Sequence, residues 1–159
     1  MKKIILVICV LLVLAGGSAF AAKGGGFAIG GEGSLYFAGA GGGLPTYAML
    51  TLHLPSFPLM LGLGITGNVD IGITADYWLA HGTLVSIFDW YAGVGGYLGL
   101  SPNSGYVSAG ARIPLGLQAW PFGQTFELFL EVAPAVGVSI VPTGFDWHLQ
   151  GAVGFRFWL

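Results

Sequence analysis

The C-terminal stretch Phe145-Asp-Trp-His-Leu-Gln-Gly-Ala-Val-Gly-Phe-Arg-Phe-Trp-Leu159 decides the fold class, because its polarity changes at almost every residue. The odd positions are nearly all apolar, and the even positions carry the polar groups, including Asp146, His148 and Arg156. In a β-strand successive side chains point to opposite faces. The period of two therefore predicts a strand with one apolar face and one polar face.

The same alternation recurs in seven earlier segments, most clearly in the two that precede this stretch. Clusters of Gly, Pro, Asn and Ser separate the segments, as is typical of turns. The sequence therefore predicts about eight antiparallel strands in up-and-down order, with the longest connection at residues 80–89 and a turn at His81-Gly82. The predicted strands are 27–37, 46–54, 57–68, 69–80, 91–101, 106–120, 125–140 and 145–159.

The first 22 residues have the layout of a secretory signal peptide. Lys2 and Lys3 form a basic start, residues 4–15 are an apolar run of 12, and Ala19-Phe-Ala21 is a small-x-small cleavage pattern. A spanning helix needs about 20 residues, so this run is short for an uncleaved anchor, which is the alternative. The sequence predicts a cleaved signal peptide at residues 1–22 and one domain at residues 23–159.

The predicted mature domain carries very little charge. Charged residues make up 8% of the whole chain, whereas an average soluble domain has about 25%. After residue 22 the sequence has three basic residues, Lys23, Arg112 and Arg156, and seven acidic residues. The net charge of this part of the chain is therefore −4. The sequence has no basic patch, so we expect no nucleic-acid partner. With so few charges, most of the outer surface is not expected to face water.

Apolar surface without a spanning helix points to a closed barrel. After residue 22 glycine interrupts every candidate for a run of about 20 apolar residues. Inside a bilayer all backbone polar groups must be paired, which helices and closed barrels achieve. The sequence therefore predicts an all-β fold, a closed antiparallel transmembrane β-barrel of about eight strands that runs as an up-and-down meander. Aromatic residues expected to form an interfacial belt near the termini are Phe27, Phe57, Tyr77, Phe88, Trp90, Phe126 and Phe157.

A soluble β-sandwich or barrel would alternate in the same way and is the alternative. Its polar face would carry Lys, Glu and Thr in contact with water. Here the polar face consists mainly of Gly, Ser, Tyr and Thr with sparse charges, which suits a narrow interior better.

Five charged residues share inward parity in the predicted barrel. Closing the last strand onto the first places them on contiguous strands, and a turn at residues 121–124 brings Arg112 and Glu131 within about one rung. Because isolated buried charge is costly, we expect these groups to pair and to plug the lumen. The alternative is a gate or selectivity element, whose excess of acid predicts a leak that favours cations. The network consists of Glu32, Arg112, Glu127, Glu131 and Arg156.

Many inward positions are glycine. Glycine permits sharp curvature and leaves room for large inward rings, an interpretation that we favour over an open water-filled channel. The rings expected to use this room are Tyr36, Trp78, Tyr91 and Tyr97.

Catalytic and metal-binding patterns are weak. His53 and His148 share inward parity but fall near opposite mouths of the predicted barrel, and His81 lies in a predicted turn. The sequence has no His-x-x-x-His spacing, and no serine lies in an obvious nucleophile elbow that Asp146 and His148 could serve. We therefore expect no enzymatic activity, no bound metal ion and no other cofactor.

Four stretches resemble a family of small spirochaete-type outer-membrane barrels, over about the last 90 residues. The resemblance implies an eight-stranded barrel of poorly defined function, with binding of host factors at the cell surface for some members. The final stretch also resembles the signal that the barrel-insertion machinery reads, carried by Phe155, Phe157, Trp158 and Leu159, although an aromatic residue would be usual at the last position. The four stretches are Gly72-Ile-Thr-Ala-Asp-Tyr-Trp-Leu79, Gly110-Ala-Arg-Ile-Pro-Leu-Gly-Leu-Gln118, Glu127-Leu-Phe-Leu-Glu-Val-Ala-Pro134 and Gly151-Ala-Val-Gly-Phe-Arg-Phe-Trp-Leu159.

These expectations favour an integral outer-membrane protein, exported through the inner membrane, with outer-membrane lipid and the barrel-assembly machinery as partners. A structural role, or passive passage of small solutes or apolar ligands, ranks first. Surface binding of an extracellular host protein ranks second, because the expected outer loops are short, nearly uncharged and without bulky anchors. A barrel-embedded enzyme acting on lipid ranks third. The expected outer loops are residues 38–45, 67–68, 101–105 and 141–144.

Overall fold

The computed structural model describes residues 27–40, 47–54, 59–65, 70–141 and 143–159. None of these residues belongs to a helix that is long and apolar enough to cross a membrane. The predicted signal peptide lies outside the described residues, as do the predicted turns at 41–45, 55–58 and 67–68. The described strands are β1 (Ala28–Ala40), β2 (Tyr47–Leu54), β3 (Leu59–Ile65), β4 (Ile71–Val85), β5 (Phe88–Ser101), β6 (Tyr106–Arg112), β7 (Leu115–Ala119), β8 (Phe126–Val141) and β9 (Gly144–Trp158).

The strands are hydrogen-bonded edge to edge into a ring of antiparallel neighbours. From β1 to β5 each strand pairs with the next, and β9 pairs with both β8 and β1. β6 and β7 both pair with β5 on one side and with β8 on the other, so together they fill one position. The ring has eight positions, which confirms the predicted all-β class and the antiparallel order of about eight strands.

Pro114 divides the single strand that was predicted at 106–120 into β6 and β7. Proline has no backbone N–H and cannot donate to the ladder. The carbonyl of Pro114 still accepts from the backbone N–H of Gly93 at 2.9 Å, and the N–H of Ile113 donates to the carbonyl of Pro134 at 3.0 Å. The ring therefore stays hydrogen-bonded on both sides of the break.

Burial alternates along the strands as the period of two predicts. In β8, Glu127 and Glu131 are buried, whereas Leu128, Leu130 and Val132 between and beside them are exposed. β9 repeats this pattern, with Arg156 buried between two exposed phenylalanines. The polar face therefore lies inside the ring and the apolar face lies outside.

The two ends of the ring differ in what they carry. One end, called the terminal end, is where β1 begins and β9 ends, and Ala28 pairs with Trp158 there. The turns at 86–87 and 121–124 lie at this same end, since they join β4 to β5 and β7 to β8. At the distal end lies the turn at 102–105 between β5 and β6.

The predicted turn at His81-Gly82 and the predicted long connection at 80–89 were wrong. β4 continues through both residues to Val85 and pairs with β5 down to Phe88, so the turn consists of Ser86 and Ile87. Register shifts after Trp78 and after Thr83 interrupt the alternation, which hid the strand from a period-two pattern. Ser86 has a φ of 50°, the left-handed conformation that tight turns require.

An aromatic layer fills the interior near the terminal end. Trp78 stacks on Tyr91 with a centroid distance of 4.4 Å, and Trp158 lies 5.7 Å from Trp120 and 5.0 Å from His53. Of the predicted belt, Tyr77, Phe88 and Phe157 are exposed, and Trp90 and Phe126 are half-buried. Phe27 is buried rather than exposed, and it directly precedes Ala28, which lies in the cluster of buried residues with Trp78, Trp120 and Trp158. Phe57 lies outside the described residues.

Candidate functional site

Arg112, the last residue of β6, is the hub of the polar interior. Its side chain is 3% exposed. Nη2 donates to the carboxylate of Glu131, Nη1 donates to Gln150 Oε1 at 2.7 Å, and Nε lies 3.1 Å from Asp76 Oδ1. Its partners therefore come from β4, β8 and β9, and one guanidinium connects three other strands of the ring.

Arg112 reaches these partners obliquely. In the β6–β8 ladder its backbone lies opposite Ala135, four residues from Glu131 along β8. Glu131 itself pairs with Gly116 of β7. The expected distance of about one rung was therefore too short, and the length of the arginine side chain makes the contact.

Arg156 and Glu127 form a second ion pair toward the terminal end. They are direct partners in the β8–β9 ladder, and Nη1 donates to Oε1 at 2.7 Å. Gln118 Nε2 donates to the same oxygen at 2.8 Å, and Trp158 Nε1 donates to Oε2 at 2.6 Å. The fully buried Glu127 carboxylate thus accepts three hydrogen bonds. The Arg156 guanidinium also lies over the Phe129 ring, with Cζ 3.6 Å from the centroid.

Tyr91 connects the charged groups to the aromatic layer. Its hydroxyl donates to Glu131 Oε2 at 2.5 Å, and its ring stacks on Trp78. Because one side of Glu131 accepts from arginine and the other from tyrosine, its carboxylate is held from two directions.

The space between the two ion pairs is almost filled. A void of about 10 Å³ remains there, bounded by Thr51, Met60, Thr74 and both arginines, among others. A cavity needs about 10–15 Å³ to hold one water molecule. The described side chains around this void therefore leave room for about one water molecule.

The buried charges of the interior need the ion pairs and hydrogen bonds described above. Two arginines and the carboxylates of Asp76, Glu127 and Glu131 are all buried. Removing such ions from water costs several kcal/mol each unless good geometry and additional hydrogen bonds compensate. The described contacts supply both, and acid exceeds base within the group.

Glycines make room for the rings in this interior. A Cβ on Gly116 would lie within about 2.0 Å of the Tyr91 ring. A Cβ on Gly110 or Gly137 would lie 2.7 Å or 2.6 Å from atoms of Tyr97. The expectation that inward glycines accommodate Tyr91 and Tyr97 is confirmed. For Tyr36 the side chain lies outside the described residues.

Four of the five predicted residues form two ion pairs among the described residues. Arg112 contacts Glu131, and Arg156 contacts Glu127. The backbone of Glu32 pairs with Met49 and Gly154, but its side chain lies outside the described residues. Residues that the predicted set did not include are Asp76, Tyr91, Gln118, Gln150 and Trp158. All of these share the inward parity of their strands, and that signal could have found them.

A second polar cluster lies toward the distal end. Asp146 Oδ2 accepts from the hydroxyls of Tyr97 at 3.2 Å and Tyr106 at 3.4 Å. His148 Nδ1 lies 3.7 Å from the other carboxylate oxygen, and its ring meets Tyr97 edge to face. Among the described residues, no group of three or more His, Cys, Asp or Glu side chains is placed to hold a metal ion.

The four residues of the predicted insertion signal differ in their surroundings. Phe155, Phe157 and Leu159 are exposed on the outer face of β9 and beyond its end. Trp158 is 1% exposed and donates to Glu127. Trp158 therefore contributes to the interior as well as to the C-terminal pattern.

No protein-family model matches the chain, and no curated protein and no solved structure matches it either. The resemblance of the four stretches to spirochaete-type outer-membrane barrels stays a prediction.

Proposed function

We propose that this protein is an integral outer-membrane β-barrel with a structural or passive role, whose lumen is plugged by the Arg112 and Arg156 networks. Its partners in this proposal are outer-membrane lipid and, during insertion, the barrel-assembly machinery. Export would use the predicted signal peptide at residues 1–22. The observation that carries the proposal is the inverted polarity of the ring, apolar outside and charged inside.

The outer face supports a hydrocarbon environment. Twenty-eight large apolar side chains of the described residues are exposed. Monomeric soluble proteins rarely expose contiguous apolar patches larger than a few hundred Å². In β8 every second residue from Leu128 to Ile140 is apolar, including Pro134, and all of them are exposed. A transmembrane strand has this apolar-out, polar-in alternation.

Aromatic contacts at the terminal end support an interfacial position. Phe126 lies 5.0 Å from Phe157 and 5.8 Å from Phe122, and Phe155 lies 5.8 Å from Phe157. Aromatic side chains gather where the hydrocarbon region meets the headgroups. This cluster would mark one edge of the apolar band.

The small void between the two ion pairs favours a structural barrel over an open pore. Porins of 16 to 18 strands leave an aqueous channel, whereas the interior of eight strands is just wide enough for side chains to fill. The void of about 10 Å³ between the ion pairs agrees with a plug. We expect the purified protein to be silent in a planar bilayer at moderate voltage. Discrete openings would favour passive transport.

The membrane proposal is tested by placing arginine at two exposed apolar positions. Val153, on the outer face of β9, is 58% exposed, and Phe122, in the turn at the terminal end, is 74% exposed. In a bilayer, arginine costs about 2–4 kcal/mol at the midplane and about 0–1 kcal/mol near the interface. Val153→Arg should therefore deplete the folded, heat-modifiable protein in washed outer membranes, whereas Phe122→Arg should resemble the wild type.

A ring that faces water would tolerate both arginines. Recovery of the wild type in the soluble periplasmic fraction would contradict the proposal, and so would equal yields of both variants in the membrane. Surface binding of a host protein, the other function expected from the sequence, stays a prediction.

A further inference from the structure

The void of about 10 Å³ between the two ion pairs is lined on one side by a glycine that separates two threonines. Thr51 of β2 pairs with Gly62 of β3, and Gly62 pairs in turn with Thr74 of β4. Neighbouring strands lie about 4.7–4.9 Å apart. The glycine therefore leaves a gap between two hydroxyl-bearing residues on one level of the ring, which we call the Gly62 notch.

The hydroxyl of Thr51 needs a hydrogen-bond partner at this notch. Thr51 is 1% exposed, and its Oγ1 has no hydrogen-bond partner among the described residues. Its direct cross-strand neighbours are glycines on both sides, Gly30 and Gly62, and neither offers a polar side chain. Buried hydroxyls are normally satisfied by protein or by ordered water, because burial without a hydrogen bond is costly. The void that Thr51 lines is therefore the place for its partner.

The notch has the size of one water molecule. A Cβ built on Gly62 would lie against the Thr74 hydroxyl and 3.0 Å from Met49 Cε, so a single added carbon would occupy much of the notch. The void of about 10 Å³ is at the lower end of what one water molecule needs. Larger solutes do not fit between these side chains.

The charges around the void favour a neutral occupant over an ion. Arg112 and Arg156 line it together with Asp76 and Glu131, so cations and carboxylates border the same small space. An anion there would lie close to the carboxylates, and a cation would lie close to the guanidinium groups. Water both donates and accepts hydrogen bonds, and it carries no net charge. The lining therefore matches water in charge as well as in volume.

We propose that the Gly62 notch binds one ordered water molecule, which hydrogen-bonds to the Thr51 and Thr74 hydroxyls and bridges them to the charged groups around Arg112. Buried waters of this kind typically make about three hydrogen bonds to buried polar groups. The bound water would connect β2 to the network of β4, β6, β8 and β9. The inference concerns the interior of the ring, and it holds whether or not the ring is inserted in a membrane.

The test counts long-lived water molecules in the purified full chain by oxygen-17 relaxation dispersion in detergent. The oxygen nucleus is used because hydroxyl protons exchange with solvent and would imitate bound water. Thr51→Val keeps the shape of the side chain and removes its hydroxyl, whereas Thr51→Ser keeps the hydroxyl. We expect Thr51→Val to lose one long-lived water relative to the wild type, and Thr51→Ser to retain it. The same count in the wild type and in Thr51→Val would overturn the proposal.

A second pair of variants tests the notch itself. Gly62→Ala places a methyl group where the water is proposed and should lose the same water molecule. Gly31→Ala is the matched control, because the nearest atoms to a Cβ there are 3.7 Å away, and it should keep the wild-type count. An unchanged count in Gly62→Ala would contradict the proposed position. If Gly62→Ala fails to fold, the two Thr51 variants still decide.

Stability gives an independent measure with a defined sign. In a urea titration, Thr51→Val should raise the equilibrium constant for unfolding about two- to tenfold, the equivalent of one net hydrogen bond. A hydroxyl without any partner would give the opposite sign, because valine buries a methyl group in place of a polar one. Greater stability of Thr51→Val than of the wild type would therefore overturn the proposal.

A monovalent cation is the competing occupant, and salt identity separates it from water. At equal ionic strength, sodium chloride and tetramethylammonium chloride should give the wild type the same urea midpoint, since water binding needs neither cation. Stabilisation of the wild type by sodium, absent in Thr51→Val, would assign the notch to a cation and overturn the proposal.

Discussion

Arg112 and Arg156 each place a guanidinium group inside the ring, but the strands that supply their partners differ. Arg156 finds Glu127 directly opposite on the neighbouring strand. Arg112 gathers Asp76, Glu131 and Gln150 from three strands, and β4 is separated from β6 by β5. The Arg156 pair therefore needs only the β8–β9 ladder, whereas the Arg112 hub needs the ring to be closed at the correct register.

The largest expected effect is the loss of the Arg112 hub. Arg112→Met keeps an unbranched side chain of similar length but leaves Glu131 and Asp76 buried without their cation. Removing one partner of a buried ion pair costs about 3–5 kcal/mol. We expect the free energy of unfolding to fall by this amount, measured by urea titration in detergent with tryptophan fluorescence as the signal.

Arg156→Met is the matched comparison. Glu127 keeps its hydrogen bonds from Gln118 and Trp158, so the loss should be smaller, about 1.5–3 kcal/mol, the range for one hydrogen bond to a charged group. If Arg156→Met destabilises the protein more than Arg112→Met, the proposed difference between a ring-dependent hub and a local pair is wrong.

This difference also explains what could be predicted from the sequence. The Arg156–Glu127 contact requires only that two strands alternate and join through a turn, and the pattern of 145–159 against 125–140 indicates both. The Asp76 contact requires the tilt and stagger of strands around the ring, which period-two patterns do not encode. The bulge after Trp78 similarly shifted the pattern and placed a predicted turn inside β4.

Tyr91 provides a sharper test of the Arg112 region. Tyr91→Phe keeps the ring stacked on Trp78 but removes the 2.5 Å hydrogen bond to Glu131. Such a bond to a charged group contributes about 1.5–3 kcal/mol, and we expect a loss toward the lower figure because Arg112 remains. Tyr97→Phe removes a longer bond of 3.2 Å to Asp146 and should cost less. A larger loss for Tyr97→Phe in the same urea titration would contradict this ranking.

The smallest expected loss of stability comes from a substitution at Gly116, the residue beneath the Tyr91 ring. Gly116 is the direct cross-strand partner of Tyr91, and a Cβ there would overlap the ring. The ring cannot move away freely, because it stacks on Trp78 and its hydroxyl is held by Glu131. Gly116→Ala should therefore cost about 1–2 kcal/mol, within the range for overpacking. At Gly31 the nearest atoms to an added Cβ are 3.7 Å away, an ordinary contact, so Gly31→Ala should be neutral in the same assay. If both alanines are neutral, Tyr91 has room to shift, and the Arg112 hub is looser than its hydrogen bonds indicate.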